Sequence, residues 1–253
     1  MFSPIIINKL QAKRREAFAT YDSITLRADA VRILARLFMN PDCQTDIDLF
    51  STAKKDTPLS YLGEHIITAA PSALARFAGE HHLQTLTTDD MLLCYAVDHA
   101  HLVEENHIPE TWGPRYALAH ILNISRVDSL VSVDGRTTAE LSTKTPWGTI
   151  LFSHVVVPPD LVISAGQHVY HHYGVVITLV NDVPLSQKLY DAQKTDDTIA
   201  LFFRTSAQKK LTIDFADKKL FHIDVLGQIL KPQKVQQIKN PGDILHGRVK
   251  FKK

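Results

Sequence analysis

The hydrophobic period of this chain changes near residue 128, and this change constrains the fold more than any other feature of the sequence. Before it, apolar residues recur at three- and four-residue spacing, which is typical of amphipathic helices. After it, apolar and polar residues alternate in short runs, which indicates strands. Such segregation predicts an α+β fold. We expect a helical domain over residues 1–128, an antiparallel β sandwich or partly open barrel over residues 129–230, and a basic C-terminal tail over residues 231–253.

The spacing predicts four helical regions before the change, over residues 23–39, 58–80, 89–107 and 112–124. Ser23 is the expected N-cap of the first region. Pro71 is expected to kink the second region or to split it in two. Thr87-Thr88-Asp89-Asp90 marks the start of the third region, because short polar side chains cap helices and acids stabilise the positive end of the helix dipole.

The pattern after residue 128 predicts about six or seven strands. Asp134-Gly135 is expected to be the turn of one hairpin, and residues 209–230 alternate on both sides of a central turn in the manner of a second. Residues 147–157, 168–180 and 198–204 are each expected to form a strand. Residues 185–193 are expected to form a short helix.

Composition excludes several classes of protein. Apolar residues make up 45% and charged residues 22% of the chain, which is typical of globular proteins. The net charge of +1 gives no overall attraction to nucleic acid or anionic membranes. Two cysteines, Cys43 and Cys94, are too few for a disulfide-stapled scaffold. With no apolar run of about 18 residues, we expect a soluble, cytoplasmic protein, although export by a dedicated secretion machine fits the same features.

Sequence motifs for nucleotide binding and hydrolysis are absent. The chain contains no GxxxxGK[ST], GxGxxG or GxSxG segment, and we therefore predict no cofactor. The lack of a complete catalytic triad or metal cluster in the sequence leans against an enzyme. It favours a non-catalytic adaptor or assembly component that acts through protein–protein contacts.

The stretch GQHVYHHYG, residues 166–174, is the main source of candidate chemistry. On a strand, alternation places His168, Tyr170 and His172 on one face and His171 on the other. His168, Tyr170 and His172 are therefore the candidate catalytic residues of the first alternative function, a hydrolase or transferase with a histidine-based site in the β domain.

A metal site in this region would need ligands from several strands. Residues i and i+4 of a strand lie about 13 Å apart, too far for His168 and His172 to share one ion. Cross-strand partners are available in His154 and His222. His154, His172 and His222 are thus the candidate metal ligands, and a strand with half-exposed histidines is the other interpretation.

Residues 159–177, PDLVISAGQHVYHHYGVVI, resemble the lecithin-retinol-acyltransferase-like branch of the papain-like (NlpC/P60) superfamily. The shared elements are an Asp-Leu pair, a strand, and a Tyr-x-His segment followed by an aromatic residue and an apolar strand. The resemblance implies that His172 is the general base of a thiol acyltransferase or hydrolase. That family places its nucleophilic cysteine after this histidine, whereas no cysteine follows Cys94 here.

The third helical region offers a possible contact surface. Asp98, His101 and Glu105 lie on the face opposite its apolar residues, at a spacing that suits a solvated face, a protein contact or a divalent metal. Tyr95 and Leu102 lie beside this polar face. We therefore list Tyr95, His101 and Leu102 as candidate interaction residues.

The tail is rich in cations and has one acid, Asp243. Its Lys250 and Lys252 complete the candidate interaction residues. A basic tail binds nucleic acid or anionic lipid through phosphate contacts, which is the second alternative function. The other interpretation is a solvated extension or an edge strand on which lysines discourage aggregation.

Overall fold

The computed structural model describes residues 21, 23–37, 53–65, 70–98, 113–133 and 136–216. Helices dominate these ranges before residue 121, and a β sheet with two further helices follows. The predicted α+β class is therefore confirmed. No helix within these ranges is both long and apolar enough to cross a membrane.

The N-terminal part contains short strands between its helices. Its elements in chain order are β1 Thr25–Leu26, α1 Ala28–Leu37, β2 Thr57–Pro58, α2 Leu59–His65, α3 Ala70–Glu80, β3 Thr85–Leu86, α4 Thr88–Ala96 and α5 Gly113–His120. The strand β1 pairs antiparallel with β2 and parallel with β3. This small sheet holds the starts of α1, α2 and α4 together.

Local signals explain where these helices begin. The first helix starts at Ala28, later than the Ser23 cap predicts, because β1 occupies the intervening residues and the Asp56 carboxylate accepts the Ala28 N–H at 3.0 Å. The second predicted region is split, and α3 begins one residue before Pro71. Thr87 caps α4 as predicted, in a capping box in which Asp90 bonds back to the Thr87 N–H at 2.9 Å.

The C-terminal part holds the larger sheet. Its elements are β4 Asn123–Val133, β5 Arg136–Thr145, β6 Gly148–Val156, β7 His168–His172, β8 Val175–Leu179, α6 Val183–Thr195, α7 Asp197–Gln208 and β9 Thr212–Asp214. The strands β4 and β5 pair up to Val133 and Arg136, so they form the hairpin predicted around Asp134-Gly135. The predicted short helix is present as α6.

The larger sheet closes into a five-stranded barrel. The strand β5 pairs with both β4 and β6, β4 pairs with β7, and β7 with β8, all antiparallel. The circuit closes where β8 pairs in parallel with β6, and β9 also joins β6 in parallel. The sheet is thus mixed and closed, and the expected antiparallel sandwich is not confirmed.

Two expected strands have a different structure. Residues 168–180 are not one strand but the hairpin β7–β8, which turns at Tyr173 and Gly174 with φ values of 46° and 77°. A Cβ at Gly174 would lie 2.6 Å from Phe215 Cδ1, so the close approach also requires glycine. Residues 198–204 lie in α7, which Asp196 caps by accepting the Ile199 N–H at 3.0 Å.

Two hydrophobic cores are packed against each other. One lies among α1 to α4 and includes Tyr170 and Ile177 from the outside of the barrel. The other fills the barrel and includes Phe152 and Phe203, the latter from α7. Between them, the buried Gln193 amide donates to the carbonyl oxygens of Ala96 and Leu122 at 3.2 and 2.7 Å. This contact joins α4, α6 and the start of β4.

Candidate functional site

The strand β7 places the candidate catalytic side chains in different surroundings. His168 is exposed at the start of the strand, opposite Arg126 of β4. Tyr170 is 2% exposed and packs into the helical core. Burial, and then the carboxylates of Asp182 and Asp89, raise the pKa of the Tyr170 hydroxyl to about 12. This phenol therefore remains protonated at neutral pH.

His172 is buried where β7 meets the helices. Its ring lies edge-on to Tyr95 and to His120, at centroid distances of 5.4 and 6.0 Å. Its Nε2 lies 3.1 Å from the His120 carbonyl oxygen, and because a carbonyl only accepts, Nε2 carries a proton in this contact. A general base must reach the substrate, and His172 is 3% exposed. In this conformation it is closed to a substrate from solvent.

His171 points into the barrel and belongs to a buried chain of hydrogen-bonded polar side chains. The sequence did not predict this residue as a functional one. Its Nε2 lies 2.7 Å from Ser125 Oγ, and Ser125 Oγ forms a short hydrogen bond with Thr143 Oγ1. The Phe152 ring packs against the imidazole at 4.5 Å. This polar chain joins β7, β4 and β5 across the barrel interior.

Burial determines the protonation of His171. It lowers the pKa of the imidazole to about 3, so the ring is neutral at pH 7. Among the described residues, His171 Nδ1 has no hydrogen-bond partner. A buried N–H without a partner costs more than a buried lone pair, and we therefore assign the proton to Nε2, which donates to Ser125. The alternation that places His171 on the same face as Val169 was the sequence signal for this position.

His154 lies on the outer surface of β6, in strained backbone with φ of 57°. It sits where the pairing of β5 with β6 shifts register. Glu140 Oε1 accepts the His154 N–H at 3.1 Å, and the ring Nδ1 lies 2.7 Å from Asp214 Oδ1. A carboxylate at Nδ1 orients the ring and leaves Nε2 for another contact. Bulges and strained residues of this kind recur at functional sites.

The three candidate metal ligands have separate positions. His154 is exposed beside Asp214, whereas His172 is buried beside His120, and His222 lies outside the described residues. Across the described ranges, no three histidine, cysteine, aspartate or glutamate side chains are grouped so as to hold a metal ion. A three-histidine metal site remains a prediction.

Among the predicted interaction residues, the structure describes Tyr95. It is fully buried, and its ring lies edge-on to His172 at a centroid distance of 5.4 Å. Its role in a partner contact remains a prediction. The others, His101, Leu102, Lys250 and Lys252, lie outside the described residues.

The Cys94 thiol lacks the environment of a nucleophile. It is buried in α4, and burial, followed by the Asp98 carboxylate, raises its pKa well above the usual value. A reactive cysteine instead needs a stabilised thiolate. The papain-like resemblance around His172 therefore finds no suitable cysteine in the described part of the chain.

A cleft of about 280 Å³ lies between the starts of α4 and α6. Its charged lining is Asp89, Asp90, Asp182 and Lys188. The Asp90 and Asp182 carboxylates already accept backbone N–H groups at their own helix starts, at 2.9 and 2.8 Å. Burial, and next the neighbouring Asp182, raise the pKa of Asp89. Two of the three acids are thus committed to capping.

Comparisons with known proteins gave no match. No protein-family model matches the chain, and no curated protein or solved structure gives a significant match. The candidate function therefore rests on the geometry of this molecule.

Proposed function

We propose that this protein is a non-catalytic assembly component that binds an extended segment of another protein by strand addition to β4. The main support is the outer edge of residues 128–133. On this side β4 pairs with β7 from Asn123 to Arg126, and the loop at residues 166–167 extends the ladder to Val127. Beyond Val127, no backbone group of the described residues bonds to this edge.

An open edge of this kind can accept another strand, because its N–H and C=O groups are available for pairing. Leu130 and Val131 are 38% and 42% exposed. Neighbouring residues of a strand point to opposite faces, so an added strand would bury one aliphatic side chain on each face. Ser129 and Ser132 flank them, and the segment lacks the lysine or proline that often protects an edge.

The buried state of the β7 side chains also favours binding over catalysis. Tyr170, His171 and His172 are each at most 3% exposed and serve as packing groups between the two cores. The β4 edge, by contrast, is a surface whose backbone lacks a partner among the described residues.

Site-specific photocrosslinking tests this proposal. A photoreactive amino acid replaces Ser132 in cells that produce the protein, and the crosslinked peptide is identified by mass spectrometry. We expect a covalent adduct with one recurring segment of a partner protein, or with β4 of a second copy if the edge pairs with itself.

Matched variants distinguish strand addition from non-specific hydrophobic binding. Val131→Lys places a charge on the edge and should abolish the adduct. Leu201→Lys alters another exposed aliphatic residue, on α7, and should leave it unchanged. As a control, the photoreactive amino acid is placed at position 208 instead of Gln208. Adducts as abundant from position 208 as from position 132, or adducts that persist in Val131→Lys, would contradict the proposal.

A further inference from the structure

The β5–β6 turn and the end of α7 form one surface at an end of the barrel. The Arg204 guanidinium lies 5.3 Å from the centre of the Trp147 ring. Gly148 lies beside α7, where a Cβ on it would be in ordinary van der Waals contact with Ala207 Cβ at 3.5 Å. The Leu151 N–H donates to the Leu211 carbonyl at 3.4 Å. These contacts fix two distant parts of the chain side by side.

This surface has charge of one sign. Its exposed cations are Lys144, Arg204, Lys209 and Lys210, which we call the cationic end. Residues 141–150 and 198–213, which form it, contain no aspartate or glutamate. Among the described residues, no carboxylate lies within ion-pair distance of any of these four cations. The charges are therefore not neutralised locally, although the whole chain has a net charge of only +1.

The backbone holds two of these lysines in fixed positions. The helix α7 ends at Gln208, and Lys209 is its C-cap, whose N–H donates to the Thr205 carbonyl at 3.1 Å. Lys210 follows with φ of 50°, a left-handed position at which glycine is usual after a helix. Glycine would be less strained there, and the lysine that occupies this position is exposed.

From this surface we infer that the cationic end binds the phosphate backbone of nucleic acid. Lys144, Lys209 and Lys210 supply ammonium groups. Arg204 supplies a guanidinium that is already oriented by the Trp147 ring and keeps its N–H edge for a phosphate oxygen. Contacts of this type recognise the charge of the phosphate groups and do not depend on the base sequence. The residues of this site are distinct from those of the β4 edge.

The surroundings favour nucleic acid over an anionic membrane. Exposed neighbours include Thr149 and Gln208, which can donate hydrogen bonds to phosphate or sugar oxygens. The Trp147 ring is partly buried beneath Arg204 and is not positioned to insert into lipid. Leu201 is the one strongly exposed aliphatic side chain of α7, and a membrane-binding helix needs a broad apolar face.

Fluorescence anisotropy with a labelled oligothymidylate tests the inference on the full chain. Four phosphate contacts to a single strand predict a slope of log affinity against log salt of about −2.8, or a loss of roughly 50-fold between about 50 and about 200 mM salt. The variant Lys144→Gln/Lys209→Gln/Lys210→Gln should weaken binding at least tenfold at low salt and reduce the slope to about −0.7.

Control variants distinguish this site from other cations. Lys54→Gln/Lys55→Gln removes two exposed lysines elsewhere and should leave the slope unchanged. Lys250→Gln/Lys252→Gln removes charge from the tail and should weaken binding less than the triple variant does. Lys210→Gly should weaken binding while raising the thermal midpoint, which a folding defect would not do. The inference is overturned if the tail variant accounts for the loss, or if phosphatidylserine vesicles bind at the cationic end and the oligonucleotide does not.

Discussion

His171 and His154 lie on two strands of the same barrel and have opposite surroundings. The imidazole of His171 is fully buried and bonded to a serine hydroxyl. That of His154 is about half exposed and bonded to a carboxylate. The comparison shows that a histidine-rich β domain does not by itself indicate catalysis. The interior histidine contributes to the packing of the barrel. The two surfaces that we propose to bind a ligand, the β4 edge and the cationic end, lie on the outside of the barrel.

The largest effect is expected from removing the interior histidine. His171→Ala takes the partner from Ser125 and leaves a cavity beside Phe152, which should lower the free energy of unfolding by about 3 kcal/mol. His168→Ala, on the exposed start of β7, should change it by less than about 0.5 kcal/mol. Urea denaturation measures both. Equal effects would remove the distinction between interior and surface histidines.

The pH dependence of stability also tests the difference between the buried His171 and the surface histidines. The pKa of His171 is about 3 in the folded protein, against 6.5 for an ordinary histidine. Between these pH values the unfolded chain binds more protons than the folded protein does. The contribution of His171 to the free energy of unfolding is therefore complete above about pH 6.5 and decreases as the pH falls, by up to about 1.4 kcal/mol per pH unit. Urea denaturation from pH 7 to pH 4 should show a smaller slope for His171→Gln. An NMR signal from His171 that titrates near pH 6.5 would refute the assignment.

A smaller effect, of the opposite sign, is expected at the cationic end. Lys210→Gly relieves the left-handed strain and should stabilise the protein by about 1 kcal/mol, a rise of roughly 2–4 °C in the thermal midpoint. Calorimetry measures it. Lys209→Gly is the matched control, because Lys209 has a right-handed φ of −81° and gains nothing from glycine. Stabilisation by both substitutions would show that strain is not the cause.

The smallest effect is expected for the outer histidine. Asp214→Asn breaks the pair with His154, and an exposed pair of this kind contributes less than about 1 kcal/mol. The loss should diminish at high salt because the pair is solvent-exposed. A double-mutant cycle with His154→Gln measures the coupling. A coupling as large as the effect of His171→Ala would mean that the outer pair, too, is a structural element.

The sequence predicted those features that depend on neighbouring residues. The Thr87 cap, the hairpin around Asp134-Gly135 and the separation of His171 from His172 all follow from short-range patterns. The turn at Tyr173 was missed because tyrosine rarely adopts positive φ; here long-range contacts hold it, including its N–H bond to the Ala119 carbonyl at 2.7 Å. Residues 198–204 have strand-like composition, and the cap at Asp196 was the overlooked helix signal.

The candidate surfaces could not be predicted from the sequence, because they arise from tertiary structure. Closure of the barrel leaves one edge of residues 128–133 without a neighbour among the described residues. The cationic end exists because Trp147 and Arg204, far apart in the chain, are in contact. A pattern along the chain indicates which face of a strand is buried, but not which edge stays open.

Amide hydrogen exchange over residues 128–133 tests the central claim most directly. In the isolated protein, amides that point to the open edge should exchange fast, and those that bond to β5 should exchange slowly, so that the two alternate along β4. In the complex with the partner identified by crosslinking, the fast amides should become protected. Uniform protection of β4 in the isolated protein, or fast exchange that persists in the complex, would contradict strand addition.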